Sequence, residues 1–143
     1  MADITIENYK NDKLYPKIVK AVGMLLQEKD EINAVDVLIK IGNLAPKDYD
    51  AWRRGKVAYL ERVFQGSLSK AGRMLRIINF YMHDLNMIKT DKTYKELNGK
   101  RILRFSKSGI KKIEEVYARQ FKWNRSEEIK KKIIEESISS REE

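Results

Sequence analysis

The sequence predicts a mainly α protein: a compact bundle of five to six helices with one β-hairpin, in the manner of winged-helix and helix-turn-helix proteins. Three observations predict it. Leu68, Ala71, Leu75, Ile78, Met82 and Leu85 recur at steps of three and four within residues 67–86, which sets them in one stripe along a helix. Shorter stretches with the same period flank that helix, punctuated by Gly, Pro and Asn. Asn98-Gly99, the preferred two-residue hairpin turn, lies between two short runs at 93–97 and 100–105.

Composition bounds the class. A chain of 143 residues is one domain by default and long enough to bury a core. At 42% hydrophobic and 36% charged it reads as globular rather than disordered. It has no cysteine, so disulfides and thiolate metal sites are excluded, and its single histidine rules out a multi-histidine cluster. No metal or cofactor is expected. The first residues lack the basic and apolar regions of a signal peptide, and no apolar run approaches the ~20 residues of a membrane span. The expectation is a cytoplasmic protein with no membrane partner.

Taken in order, residues 1–12 read as a short extended N-terminal arm, an edge strand or a frayed end, with Ile4 and Ile6 alternating against polar neighbours. Residues 13–125 form one helical domain, and 126–143 a C-terminal helix with an acidic tail. The first helix covers about 13–28, with Pro16 in its first turn and Tyr15, Ile18, Val22, Leu25 and Leu26 inward. Asn33 caps the second, supported by Asp36, and Gly42-Asn43 ends it with Leu44 folding back. Pro46 opens a third helix that stops at Gly55. Helix, short turn, helix over 33–55 matches a helix-turn-helix unit in outline. A fourth helix is expected at about 56–65, then the central helix, capped by Ser67. Residues 84–96 read as a linker. The 93–105 hairpin pairs Glu96 with Arg101 and Tyr94 with Leu103, and positive φ is expected in its turn; the competing reading makes 91–97 a short helix. Ser106 to Gly109 opens a helix running to about 122, with Ile110, Ile113, Tyr117 and Phe121 inward.

Charge points to the partner. The net charge is +9, and residues 67–125 hold 15 Lys/Arg against 5 Asp/Glu, while the flanking segments are close to balanced. Excess of that kind suits a polyanion, nucleic acid first and DNA over RNA. Lys70, Arg73, Arg76 and Asn79 occupy the outer face of the central helix, and Lys100, Arg101 and Arg104 lie on the hairpin. A helix in the major groove with a basic hairpin along the backbone would use them for base and phosphate contacts. Ser106, Lys107 and Ser108 at a helix start can hold a backbone phosphate, or simply cap the helix. Arg53, Arg54 and Lys56 are the alternative reading head.

The segment Trp52-Arg-Arg-Gly-Lys-Val-Ala-Tyr-Leu-Glu-Arg-Val63, with Leu-Arg-Phe-Ser-Lys-Ser-Gly109 further on, resembles an uncharacterised conserved family of bacterial proteins. The resemblance covers most of residues 33–121 and implies no particular activity.

No catalytic set emerges. His83 and Asp84 are neighbours on a helix, about 100° apart, so they do not form a couple on one face. The reading is a nucleic-acid-binding, regulator-like protein and not an enzyme, with a homodimer through the terminal helices as a possibility. The alternative is a helical interaction module for an acidic protein partner.

Overall fold

The computed structural model describes residues 4–123 and 127–139. The start of the arm, residues 1–3, and the tail at 140–143 lie outside the described residues. The chain is mainly helical. Its order is α1 (Tyr15–Glu28), β1 (Glu31–Asn33), α2 (Ala34–Ile41), α3 (Pro46–Arg53), α4 (Leu68–Asp84), β2 (Ile88–Asp91), α5 (Lys111–Ala118), β3 (Arg119–Lys122) and α6 (Glu127–Ser139). The three strands form one antiparallel sheet in the order β1–β3–β2.

Local chemistry sets several of these boundaries where the sequence places them. Asn33 and Asp36 form a reciprocal capping box at the start of α2, and Gly42 ends it at φ 103°, a conformation costly for other residues. Leu44 folds back into the core. On α4, Ala71, Met74, Leu75, Ile77, Ile78, Tyr81 and Met82 are all buried. Its inner face meets α1, and α6 covers α1 from another side. That second contact is close: a Cβ on Gly23 of α1 would lie 3.0 Å from the Ser137 Cβ of α6. Ile134 and Ser137 are buried there. Ile129, one turn earlier on α6, stays 45% exposed.

Five expectations are corrected, the last of them at the turn of the 93–105 hairpin. The N-terminal segment is not an extended edge: it turns through a short 3-10 helix at Tyr9–Asn11. Tyr9 is fully buried among the rings of Tyr15 and Phe80 and donates to the Asp84 carboxylate. The fourth helix shrinks to a 3-10 turn at Leu60–Val63. Gly55 turns the chain at φ 79°, and the amides of Leu60 and Glu61 donate to the carbonyls of Arg104 and Phe105, at 3.2 and 2.8 Å. Those donors are lost to a helix. The helix expected to run from the Ser106 to Gly109 opening to about residue 122 stops at Ala118, where the chain turns into β3 between β1 and β2. The 84–96 linker contains β2 and the buried Tyr94.

The hairpin at 93–105 keeps its expected register but not its turn. Glu96 pairs with Arg101 (N–H to O, 3.0 Å) and Leu103 with Tyr94 (2.8 Å), with a single ladder bridge between Lys95 and Ile102. Neither Asn98 nor Gly99 takes positive φ, so the turn is not the mirror-type one, and Gly99 donates to the Glu96 carbonyl instead (3.3 Å). The buried faces of Tyr94 and Phe105 pack with Trp52 and Tyr117 in an aromatic cluster, and the Trp52 indole donates to the Arg104 carbonyl at 2.8 Å. This cluster anchors the long connection between β2 and β3.

Candidate functional site

The outer face of α4 organises the site. Ser67 caps the helix, its hydroxyl accepting from Lys70 N–H at 3.0 Å. With seven inner residues fixed by the core, the outward row runs through Leu68, Gly72, Arg76 and His83. The sequence-predicted residues do not all share it. Arg73 turns away and pairs with the Asp12 carboxylate, of which only 6% stays exposed. Burial alone would push that carboxyl up, but the Arg73 hydrogen bond, the Leu14 N–H and the nearby positive charge win, and it sits below the ordinary value. Asn79 accepts from the Arg119 guanidinium of β3 at 3.0 Å. Lys70 is half-buried and Arg76 is exposed. Asp84 serves Tyr9, and His83 projects into solvent.

The hairpin cations are similarly divided. Arg101 donates to Glu96 at 3.2 Å and to the Gly55 carbonyl at 3.3 Å. Arg104 folds over its own loop, with Nε 2.7 Å from the Ser106 carbonyl, a second bond to the Lys107 carbonyl and the guanidinium over Tyr59. Lys100 is exposed. In the alternative reading head, Arg53 is held by Tyr49 and the Lys95 carbonyl, and Arg54 by Asp50 at 2.7 Å; Lys56 is exposed.

The Ser106 to Gly109 turn has anions of its own. Glu114 accepts from the amides of Phe105 and Ser106 at 2.8 and 2.7 Å and from the Ser106 hydroxyl. Glu61 accepts from the Lys107 amide at 2.9 Å. The two serine hydroxyls accept from Gly109 and Ile110 N–H, at 3.0 and 3.3 Å. Backbone donors that a phosphate would take are thus filled by carboxylates of the same chain, and the serines act as caps for the turn.

This arrangement seats α5 beside α4 and opens a groove of about 850 Å³ between them. Its apolar surface comes from Leu68, Gly72 and Leu75 on one wall and Ile113, Val116 and Tyr117 on the other. Arg76, Lys107, Lys112 and Arg119 stand around it with one carboxylate, Glu61. That carboxylate is already engaged, since Tyr117 OH donates to it at 2.8 Å. Burial first, then this bond, raises the Tyr117 phenol well above its usual range, so it stays protonated. Among the described residues, the Arg76, Lys107 and Lys112 side chains form no ion pair.

Comparison with known families, with characterised proteins and with solved structures returns no match. The site therefore rests on its own residues. Of those expected from sequence, Arg76, Lys107 and Ser108 line the groove. Lys112, Arg119, Glu61 and Gly72 were not legible as part of it, because their proximity depends on where α5 ends. Leu68 and Ile113, expected within the inward stripes of their helices, are instead 49% and 37% exposed and line the groove, and Ile110, also expected inward, is 55% exposed. Among the described residues, no three His, Cys, Asp or Glu side chains converge as a metal site, and no helix is long and apolar enough to cross a membrane.

Proposed function

We propose that this chain binds nucleic acid, DNA in preference to RNA, with α4 as its reading helix. One observation carries the reading: α4 is followed by two antiparallel strands in a sheet ordered β1–β3–β2. With α3, the Leu60–Val63 turn, α5 and α6 set aside as additions, the order α1, β1, α2, α4, β2, β3 resembles that of a winged-helix reader. The β2–β3 connection takes the place of the wing. At residues 92–118 it is long, and it carries 8 Lys/Arg against 3 Asp/Glu. Among the described residues, Lys70 and Arg76 on α4, with Lys100 and Lys107 on that connection, form no side-chain ion pair and suit phosphate contact. The resemblance of the Trp52 to Val63 and Leu103 to Gly109 segments to an uncharacterised bacterial family adds no activity to this reading.

Fluorescence anisotropy on a labelled duplex over a salt series tests it. If four cations meet phosphates, log K falls against log salt with a slope of roughly −4. Arg76→Ala should reduce that slope by about 1 without loss of folding, since the side chain lies off the buried stripe. A combined Arg76→Ala, Lys100→Ala and Lys107→Ala variant with the parent's affinity and slope would remove the reading. Binding to heparin with no binding to the labelled duplex would favour an acidic protein partner.

A further inference from the structure

We propose that the groove between α4 and α5 is a binding site for a free small amphiphile, an apolar acyl or aryl body with one anionic head. The inference goes beyond the nucleic-acid reading and stands without it.

Gly72 is the first observation. It sits inside α4, where glycine is a poorer helix former than alanine. Neither its backbone nor its packing demands glycine: its φ is helical, and an added Cβ would meet nothing within 4 Å. What the missing side chain does is leave the wall of the groove recessed. The second observation is exposed apolar surface on both walls, with Leu68 49% and Ile113 37% accessible above the buried Leu75 and Tyr117. The third is charge. Four cations face the groove, and Glu61 is spent on Tyr117 and the Lys107 amide. Arg119 donates to the neutral Asn79. An apolar body is needed to use the floor and an anion to use the rim. A nucleic-acid backbone supplies the second and not the first.

Size selects among apolar anions. A volume of about 850 Å³ falls within the range of roughly 300–1,000 Å³ typical of small-molecule pockets. The α5 wall, eight residues, is only about 12 Å long. That is short for a helical partner, whose stable contact needs on the order of 1,000 Å².

Titration calorimetry with decanoate, below its aggregation concentration, tests the site, with 1-decanol and acetate as controls. The expected result is one decanoate per chain, bound at least tenfold more tightly than either control. Gly72→Leu should weaken decanoate at least tenfold while raising the melting temperature, because the side chain fills the groove and favours the helix. Lys107→Gln with Lys112→Gln should weaken decanoate several-fold and leave decanol unchanged. If the leucine variant does not fold, amide shifts of the parent protein decide: decanoate must perturb Gly72, Ile113 and Val116. Equal decanoate binding by folded Gly72→Leu, equal binding of decanol and decanoate, or shifts confined elsewhere would each overturn the proposal. So would capture of a Glu-rich amphipathic helical peptide by a groove that ignores decanoate.

Discussion

Arg73 reaches back from α4 to a carboxylate that is almost wholly enclosed, and this decides what its removal does. Asp12 has its folded pKa pulled below the ordinary 3.8, by Arg73 against the opposing effect of burial. A depressed carboxylate contributes stability that is present above its unfolded value and lost as pH falls through the folded one. Arg73→Ala should therefore lower stability by about 1–3 kcal/mol at neutral pH, since it strands a buried anion. The gap from the parent should close below about pH 4 as Asp12 protonates in both proteins. Denaturant melts across pH 2–7 measure it. A pH-independent gap would mean that Arg73 acts through packing of its stem alone. Position along the helix suggested an outward cation here; a partner 61 residues away was not readable from local spacing.

The helix α4 is where sequence spoke most clearly, because seventeen residues give the 3.6 period several turns to repeat. Leu75→Ala and Ile78→Ala should each cost about 2–4 kcal/mol, as both are at most 5% exposed; equilibrium unfolding checks this, and near-zero values would put the wrong face inward. Capping chemistry at Asn33, Gly42 and Ser67 was equally readable, being local. Residues 106–122 were not. Tyr117 and Phe121 are four apart and fit a helix, yet Phe121 also fits the alternation of a strand, and pairing with β1 and β2 chose the second. Residues 56–65 failed in the same way, through hydrogen bonds to a strand-like segment more than forty residues later. The groove inherits both misreadings. Its cations were visible as charge, but its walls exist only because α5 is short and the chain returns through β3.

In the molecule as a whole, β3 is the strand that joins everything. It lies between β1 and β2, and Phe121, 3% exposed, is paired with Ile32 on one side and Lys89 on the other. Phe121→Ala should cost about 3–5 kcal/mol. Because one strand serves two edges, hydrogen exchange at β1 and β2 should accelerate together; if β2 keeps its protection while β1 opens, the sheet is not a single cooperative unit. The same placement has a consequence in time. The two outer strands leave the ribosome before the middle one exists, β1 by about ninety residues. At roughly 5–20 residues per second that is on the order of ten seconds during which β1 has no strand to close against. An edge in that condition is open to pairing with another nascent chain, so the yield of folded protein should depend on how quickly the ribosome reaches residue 122.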